Sequence, residues 1–201
     1  MTEQILCPIC HKIPVLREDL RCTICHRAYL RKSNLKNPDE VIGSIKLITP
    51  KLYWDSKIED FPENTIPNPY GSYFIAGTNY TGKTHLLYAL VREALLVNEH
   101  PRVISAADFI GSLHEHFDNP KYTNTRIREA QTTLFLFIDD FCVEKETDWQ
   151  FAIWYRILNE RRNEQRHIVI TTNTPNKIEE RLFSRIMSMT TLLEMNEIFE
   201  G

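Results

Sequence analysis

Residues 73–87 read Tyr-Phe-Ile-Ala-Gly-Thr-Asn-Tyr-Thr-Gly-Lys-Thr-His-Leu-Leu, and this stretch decides the fold. Tyr73–Ala76 is a short apolar run of the kind that forms a buried strand. From Lys83 onward, apolar residues recur at helical spacing (Leu86, Leu87, Leu90, Val91, Ala94, Leu95), predicting a helix over 83–98. Between strand and helix, residues 77–84 match GxxxxGK[ST] in full. Gly77 and Gly82 allow the backbone to wrap a phosphate with its N–H groups pointing inward. Thr78, Asn79, Tyr80 and Thr81 supply the backbone between them, and His85 follows within the first helical turn. Lys83 is a mobile charge for the β- and γ-phosphates, and the Thr84 hydroxyl suits Mg²⁺. Residues 77–85 are therefore the candidate ATP site.

Working outward, strands and helices alternate. Strands are expected at 103–106, 134–139, 167–172 and 191–195, with helices at 107–117, 125–132 and 148–164 and one from Pro175 to about Phe183. Such alternation predicts an α/β protein with a parallel sheet of about five strands, covered on both faces. Leu134-Phe-Leu-Phe-Ile-Asp-Asp140 is an apolar strand ending in two acids, some 55 residues beyond the phosphate loop. Asp139 is the candidate Mg²⁺ holder, and Asp140 the group that orients or deprotonates an attacking water. Ile168-Val-Ile-Thr-Thr-Asn173 ends a second apolar strand in an amide. Two readings stand for Asn173: a sensor of the γ-phosphate or lytic water, or a cap for the helix near Pro175.

Ahead of this region the pattern changes. Four of the five cysteines fall within residues 7–25, as Cys7-x2-Cys10, eleven residues, then Cys22-x2-Cys25. Two paired-cysteine knuckles present four thiolates, the donor set of a closed structural zinc site. A module of about thirty residues has too little core to fold alone, so the metal would supply most of its folding energy. His11 and His26 follow each pair and read as surface residues, while Cys142 stands alone downstream. Residues 1–36 carry seven basic and three acidic side chains, a charge of +4 in a chain of net charge -3. That leaves -7 for the remainder, so a basic end for an acidic partner and an ordinary solvated surface both stand as readings. Residues 37–70 read as a linker and lead-in segment: a short helix after Pro38 is allowed, and Pro50, Pro62, Pro67 and Pro69 bar a long one. The expected division is 1–36, 37–70 and 71–201.

Hydrophobic content of 42% and charged content of 25% fit a globular protein and exclude disorder. No apolar run reaches the roughly 20 residues that span a bilayer. The opening Met-Thr-Glu-Gln-Ile-Leu-Cys lacks a basic region followed by an apolar core, so a cytoplasmic protein without a membrane partner is expected.

Together these residues resemble the DnaC/DnaI/IstB group of AAA+ proteins, over roughly residues 48–195. The resemblance is carried by Thr49–Phe61, Gly77–Leu86, Leu136–Asp140, Thr147–Gln150, Tyr155–Arg161, Ile170–Asn173 and Glu180–Ile186. It implies an ATP-dependent helicase loader, with ATP and Mg²⁺ as ligands, single-stranded DNA and a replicative helicase as partners, and ATP-dependent homo-oligomerisation. The helicase would be gripped through residues 1–36. Arg185, with Arg181 as second choice, would reach a neighbour's γ-phosphate, and Tyr53 and Trp54 would lie near the adenine. The 107–132 region has room for the helical insertion of initiator-type relatives. Two rival functions remain: an IstB-like transposition ATPase acting on duplex DNA, and a non-hydrolysing nucleotide-gated adaptor. Three departures from the family pattern stand out. Asn79-Tyr80 replaces a frequent Pro-Gly, Phe141-Cys142 follows the acids where glycine is common, and no lid helices or sensor 2 arginine follow the last strand.

Overall fold

The computed structural model describes residues 38–62, 65–66, 68–96, 100–141 and 147–199. Cys7, Cys10, Cys22, Cys25 and Cys142 lie outside these residues. Helix α1 (Pro38–Ile48) and two 3₁₀ turns (Lys51–Tyr53, Ile58–Asp60) precede β1 (Tyr73–Ala76) and α2 (Lys83–Leu96). There follow β2 (Arg102–Ser105), α3 (Ala106–Glu115), α4 (Pro120–Thr132), β3 (Phe135–Asp139) and α5 (Asp148–Asn163). The chain continues through β4 (His167–Thr172), a 3₁₀ turn (Pro175–Lys177), α6 (Glu180–Met187) and β5 (Thr191–Glu194). Among the described residues no helix is long and apolar enough to cross a membrane.

The five strands form one parallel sheet in the order β2-β3-β4-β1-β5. Successive strand residues point to opposite faces, so each strand divides its side chains between two cores. Phe74, Leu136, Ile138, Ile168 and Ile170 face one core, shared with Phe109, Leu113, Trp154, Ile157, Leu182 and other residues of the later helices. Tyr73, Ile75, Phe135, Phe137 and Val169 face the other, formed with α2 and α1. Because α2 lies between the sheet and the α1 segment, it is buried nearly all round, from Leu86 to Leu95. A one-sided amphipathic helix would leave a polar face in water.

One expected element is filled in and another is divided. The lead-in segment contains an 11-residue helix, α1, whose Val41 and Ile45 are buried one turn apart. The prolines that bar a helix begin only at Pro50, after α1 has ended. The helix expected from Pro175 to Phe183 is two elements. The 3₁₀ turn ends where Ile178 turns extended (ψ 131°) and buries its side chain. A new helix then starts, capped by Glu179, whose carboxylate accepts from the N–H groups of Arg181 (2.7 Å) and Leu182 (3.2 Å). Elsewhere boundaries move by a few residues, most at α4, which begins at Pro120 with Asn119 as its cap. Thr147 and Gln150 form a reciprocal capping box at the start of α5.

One charged residue ties the sheet to its helices. Arg161 of α5 is fully buried. Its guanidinium donates to the carbonyls of Ala130 (2.8 Å), Gln131 (3.4 Å), Thr133 (2.8 Å), Leu134 (3.2 Å) and His167. These are the last carbonyls of α4 and the entries to β3 and β4, which have no helical partner. Burial, and then the charge of Arg166, push the Arg161 pKa down to about 9, so it stays charged at neutral pH. Arg161→Met fills similar volume but removes the guanidinium donor from the Ala130, Thr133 and Leu134 carbonyls. It should cost about 3 kcal/mol of stability, read as a lowered midpoint in urea unfolding at unchanged slope.

Candidate functional site

Strand parity brings the acidic and hydroxyl groups together. Phe135 and Phe137 face α2, so Asp139, two residues on, points the same way. On β4, Val169 faces α2, and so does Thr171. β3 pairs with β4 and β4 with β1, so the ends of all three strands meet beneath the start of α2. There Asp139 Oδ1 accepts from the Thr84 hydroxyl (3.1 Å) and from the Thr171 hydroxyl (2.6 Å). Thr171 Oγ1 in turn accepts from the Asp140 N–H (3.0 Å). Asn173 donates through Nδ2 to Asp140 Oδ1 at 3.4 Å. The 3₁₀ turn after Asn173 has Thr174 as its cap residue and no side-chain cap bond. Of the two readings of Asn173, the geometry places its amide against Asp140.

Asp140 sits in the left-handed region (φ 51°), which aims its exposed side chain out of the strand line. Desolvation by the surrounding site, and then the Asp139 charge, hold its carboxyl pKa above the ordinary range, with Lys83 pulling the other way. It is a more basic carboxylate than usual, beside a second acid.

Between β1 and α2 the loop folds back on itself. Lys83 is 6% exposed, and its ammonium donates to the Thr78 carbonyl and to Thr81 Oγ1 (3.3 Å). Burial lowers its pKa, while Asp140 and Asp139 oppose the shift. Leu86 makes the first α2 bond, to the Gly82 carbonyl (2.8 Å), so the amides of Lys83, Thr84 and His85 lack helical partners and open onto the loop. Gly77 is required by close approach: a Cβ there would lie 1.9 Å from the Met195 carbonyl oxygen. Gly82 has φ 82°, where other residues are strained. Tyr80, with φ 63° and 87% exposure, occupies a conformation that suits glycine.

The flanks bring further residues to the loop, among them Asp60 and Tyr88, which the sequence did not single out. His85 Nε2 pairs with Asp60 Oδ2 at 2.7 Å. Partial burial opposes the shift, but His85 and the Lys57 N–H hold the Asp60 carboxyl below its usual value. Tyr53 stacks on Tyr88 (4.9 Å). Burial, then Asp139 and Asp140, raise its phenol pKa. Trp54 turns elsewhere, donating to the Thr49 carbonyl (3.0 Å) beneath Lys46. Arg181 and Arg185 stand apart from the acids, on α6. Arg185 bonds the Tyr155 hydroxyl and lies 4.2 Å from its ring centre; Arg181 lies 5.3 Å from that ring and 5.4 Å from Phe151. The one signal for Thr171 was its spacing of two from Asn173, which puts both on one face; Tyr53 was named only through the family resemblance, and nothing singled out Asp60.

A phosphate loop after β1, an acidic end to β3, a polar end to β4 and this strand order define a P-loop ATPase fold of the AAA+ class. More narrowly, the chain belongs to the bacterial DnaA ATPase-domain family, whose model matches residues 56–192. The replicative helicase loader DnaC of Escherichia coli (strain K12) is 25% identical over 118 residues, covering 58% of this chain and 46% of DnaC. The chain spans less than half the length of the relatives it matches. A crystal structure of the DnaC helicase loader aligns with TM-score 0.62 at 21% identity, over 73% of this chain and 99% of that one. The replication initiator DnaA bound to AMPPCP and single-stranded DNA aligns with TM-score 0.57 at 23% identity, over 79% of this chain and 50% of that one.

Tyr80→Gly tests the loop strain. It should raise stability by about 0.5–1 kcal/mol in chemical denaturation, because the left-handed conformation costs a tyrosine more than glycine loses in chain entropy.

Proposed function

We propose that this protein is an ATPase that loads a replicative helicase during initiation of DNA replication. The observation that carries the proposal is the Thr84–Asp139 pair at 3.1 Å, beside Asp140 and Asn173 at the mouth of the phosphate loop. A hydroxyl and a carboxylate are hard oxygen donors suited to Mg²⁺, and the residues present fit that ion. In this reading the backbone from Gly77 to His85 holds the phosphates, and Lys83 exchanges its Thr78 carbonyl for phosphate oxygens. Thr84 and Asp139 hold Mg²⁺, which neutralises charge on the phosphates. Asp140 orients and deprotonates the attacking water, with Asn173 fixing its carboxylate. Arg185, and secondarily Arg181, complete the site of a neighbouring subunit. An arginine supplied in trans ties hydrolysis to assembly. Single-stranded DNA is the proposed nucleic-acid partner, following the DnaA neighbour solved with it.

Lys83→Ala should lose ATP binding by isothermal titration. Asp140→Asn should keep binding and lose at least about a hundredfold in turnover, the lower end of the range for a positioned base. Turnover of the unaltered protein should fall on acidification through a pKa above 3.8, since the base acts ionised and its pKa is raised. Phosphate release that survives Asp140→Asn removes Asp140 from this role.

The zinc module at Cys7, Cys10, Cys22 and Cys25 is the proposed grip on the helicase. The full-length protein should carry one zinc per chain by elemental analysis and retain a hexameric replicative helicase on a column. Cys22→Ser should lose both metal and helicase while ATP binding persists. Retention of the helicase by a zinc-free variant would refute the assignment. Stimulation of turnover by long duplex DNA, without helicase retention, would instead favour a transposition ATPase.

A further inference from the structure

Beyond β5 the chain turns back across the phosphate loop. The Met195 N–H donates to the Ala76 carbonyl (2.8 Å), extending the β1–β5 pairing by one residue. Four residues later the Phe199 N–H donates to the Tyr80 carbonyl (3.0 Å), inside the loop itself. The Phe199 ring lies against the backbone of Gly82: a Cβ added there would stand 2.7 Å from Phe199 Cγ. The same ring stacks on Phe61 at 4.9 Å and 20°, and meets the His85 ring at 4.7 Å. Phe61 and His85 are themselves 5.7 Å apart, edge to face. Three rings from three distant segments therefore converge at the last turn of the loop.

A loop of backbone amides grips phosphates and leaves the sugar and base of a nucleotide to lie outside it. The surface next to Gly82 and His85, beside the first turn of α2, is a place where a planar base can lie. Phe61 and His85 offer it ring faces. Phe61 and Phe199 are already in stacking contact, and a third ring between them would need roughly twice that separation. The slot is filled by the chain's own side chain.

We propose that Phe199 and the base of a bound nucleoside triphosphate compete for this slot: the base displaces the phenyl ring from Phe61 and His85, and the segment around Phe199 leaves Gly82 and Tyr80. The proposal rests on the reading of residues 77–84 as a triphosphate site. Docking of Phe199 then lowers apparent affinity by the fraction of molecules whose slot is open. Phe199 is held by one backbone bond, two ring contacts and its packing on Gly82, and the neighbouring Ile198 is 76% exposed. Release is therefore within reach of the stacking energy of a base. It also turns nucleotide binding into a change of surface, because Phe199 emerges beside Ile198 when ATP is bound.

The test compares the full-length protein with Phe199→Ala, titrated with AMPPCP and Mg²⁺ and, separately, with inorganic tripolyphosphate, which has no base. Phe199→Ala should bind AMPPCP at least about fivefold more tightly, the gain expected if one molecule in five has an open slot. Tripolyphosphate affinity should not change. A Phe199→Trp variant supplies a second readout. Relative to the unsubstituted protein, its added emission should shift to the red with AMPPCP and not with tripolyphosphate. Equal or weaker AMPPCP binding by Phe199→Ala overturns the competition and makes Phe199 a bystander or a fixed wall. If the unaltered protein binds neither ligand, the triphosphate site itself fails, and this proposal with it.

Discussion

Asp139 accepts hydrogen bonds from Thr84 and Thr171, and the rest of the site is built around that meeting. The three residues belong to three segments: Asp139 to the end of β3, Thr84 to the first turn of α2 and Thr171 to the end of β4. They can meet only if β3, β4 and β1 lie side by side, run parallel and end at the same level. Sheet order is thus a chemical constraint as much as an architectural one. A shift of one residue in β3 or β4 would send Asp139 or Thr171 to the opposite face.

That constraint explains where the protein spends its rigidity. The three central strands, β3, β4 and β1, bury nearly every side chain, on both faces, against α2 on one side and the later helices on the other. Arg161 fixes the far edge by gathering carbonyls from the end of α4 and the entries to β3 and β4. The site end is, by contrast, polar and strained. Tyr80 and Asp140 both adopt positive φ, and Lys83 satisfies itself within its own loop. Strain of this kind persists where a stable scaffold holds it and is concentrated at functional sites.

Two groups of residues surround the central constellation without joining it. On one side, Phe61, His85 and Phe199 make an aromatic wall at the loop, with Asp60 anchoring His85. On the other, Arg181 and Arg185 lie on an aromatic shelf of Phe151 and Tyr155. The shelf holds both guanidinium groups by ring faces and the Tyr155 hydroxyl. The first group bears on what enters the loop; the second presents charge away from it.

Sequence alone determined the phosphate loop, the two acids, the polar end of β4 and the alternating α/β order. Each is a local signal: a spacing, an apolar period or a strand that ends in acid. It failed at Pro175, where helical spacing runs on but buried Ile178 breaks the backbone, and it allowed a short helix after Pro38 without fixing its extent. Tertiary structure decided which residues meet. Asn173 faces Asp140 only because β4 lies between β3 and β1, and Phe199 reaches Gly82 only because β5 pairs beside β1. Contacts between residues 33 or more apart leave no periodic trace in a single chain, since what fixes them is the packing of whole strands.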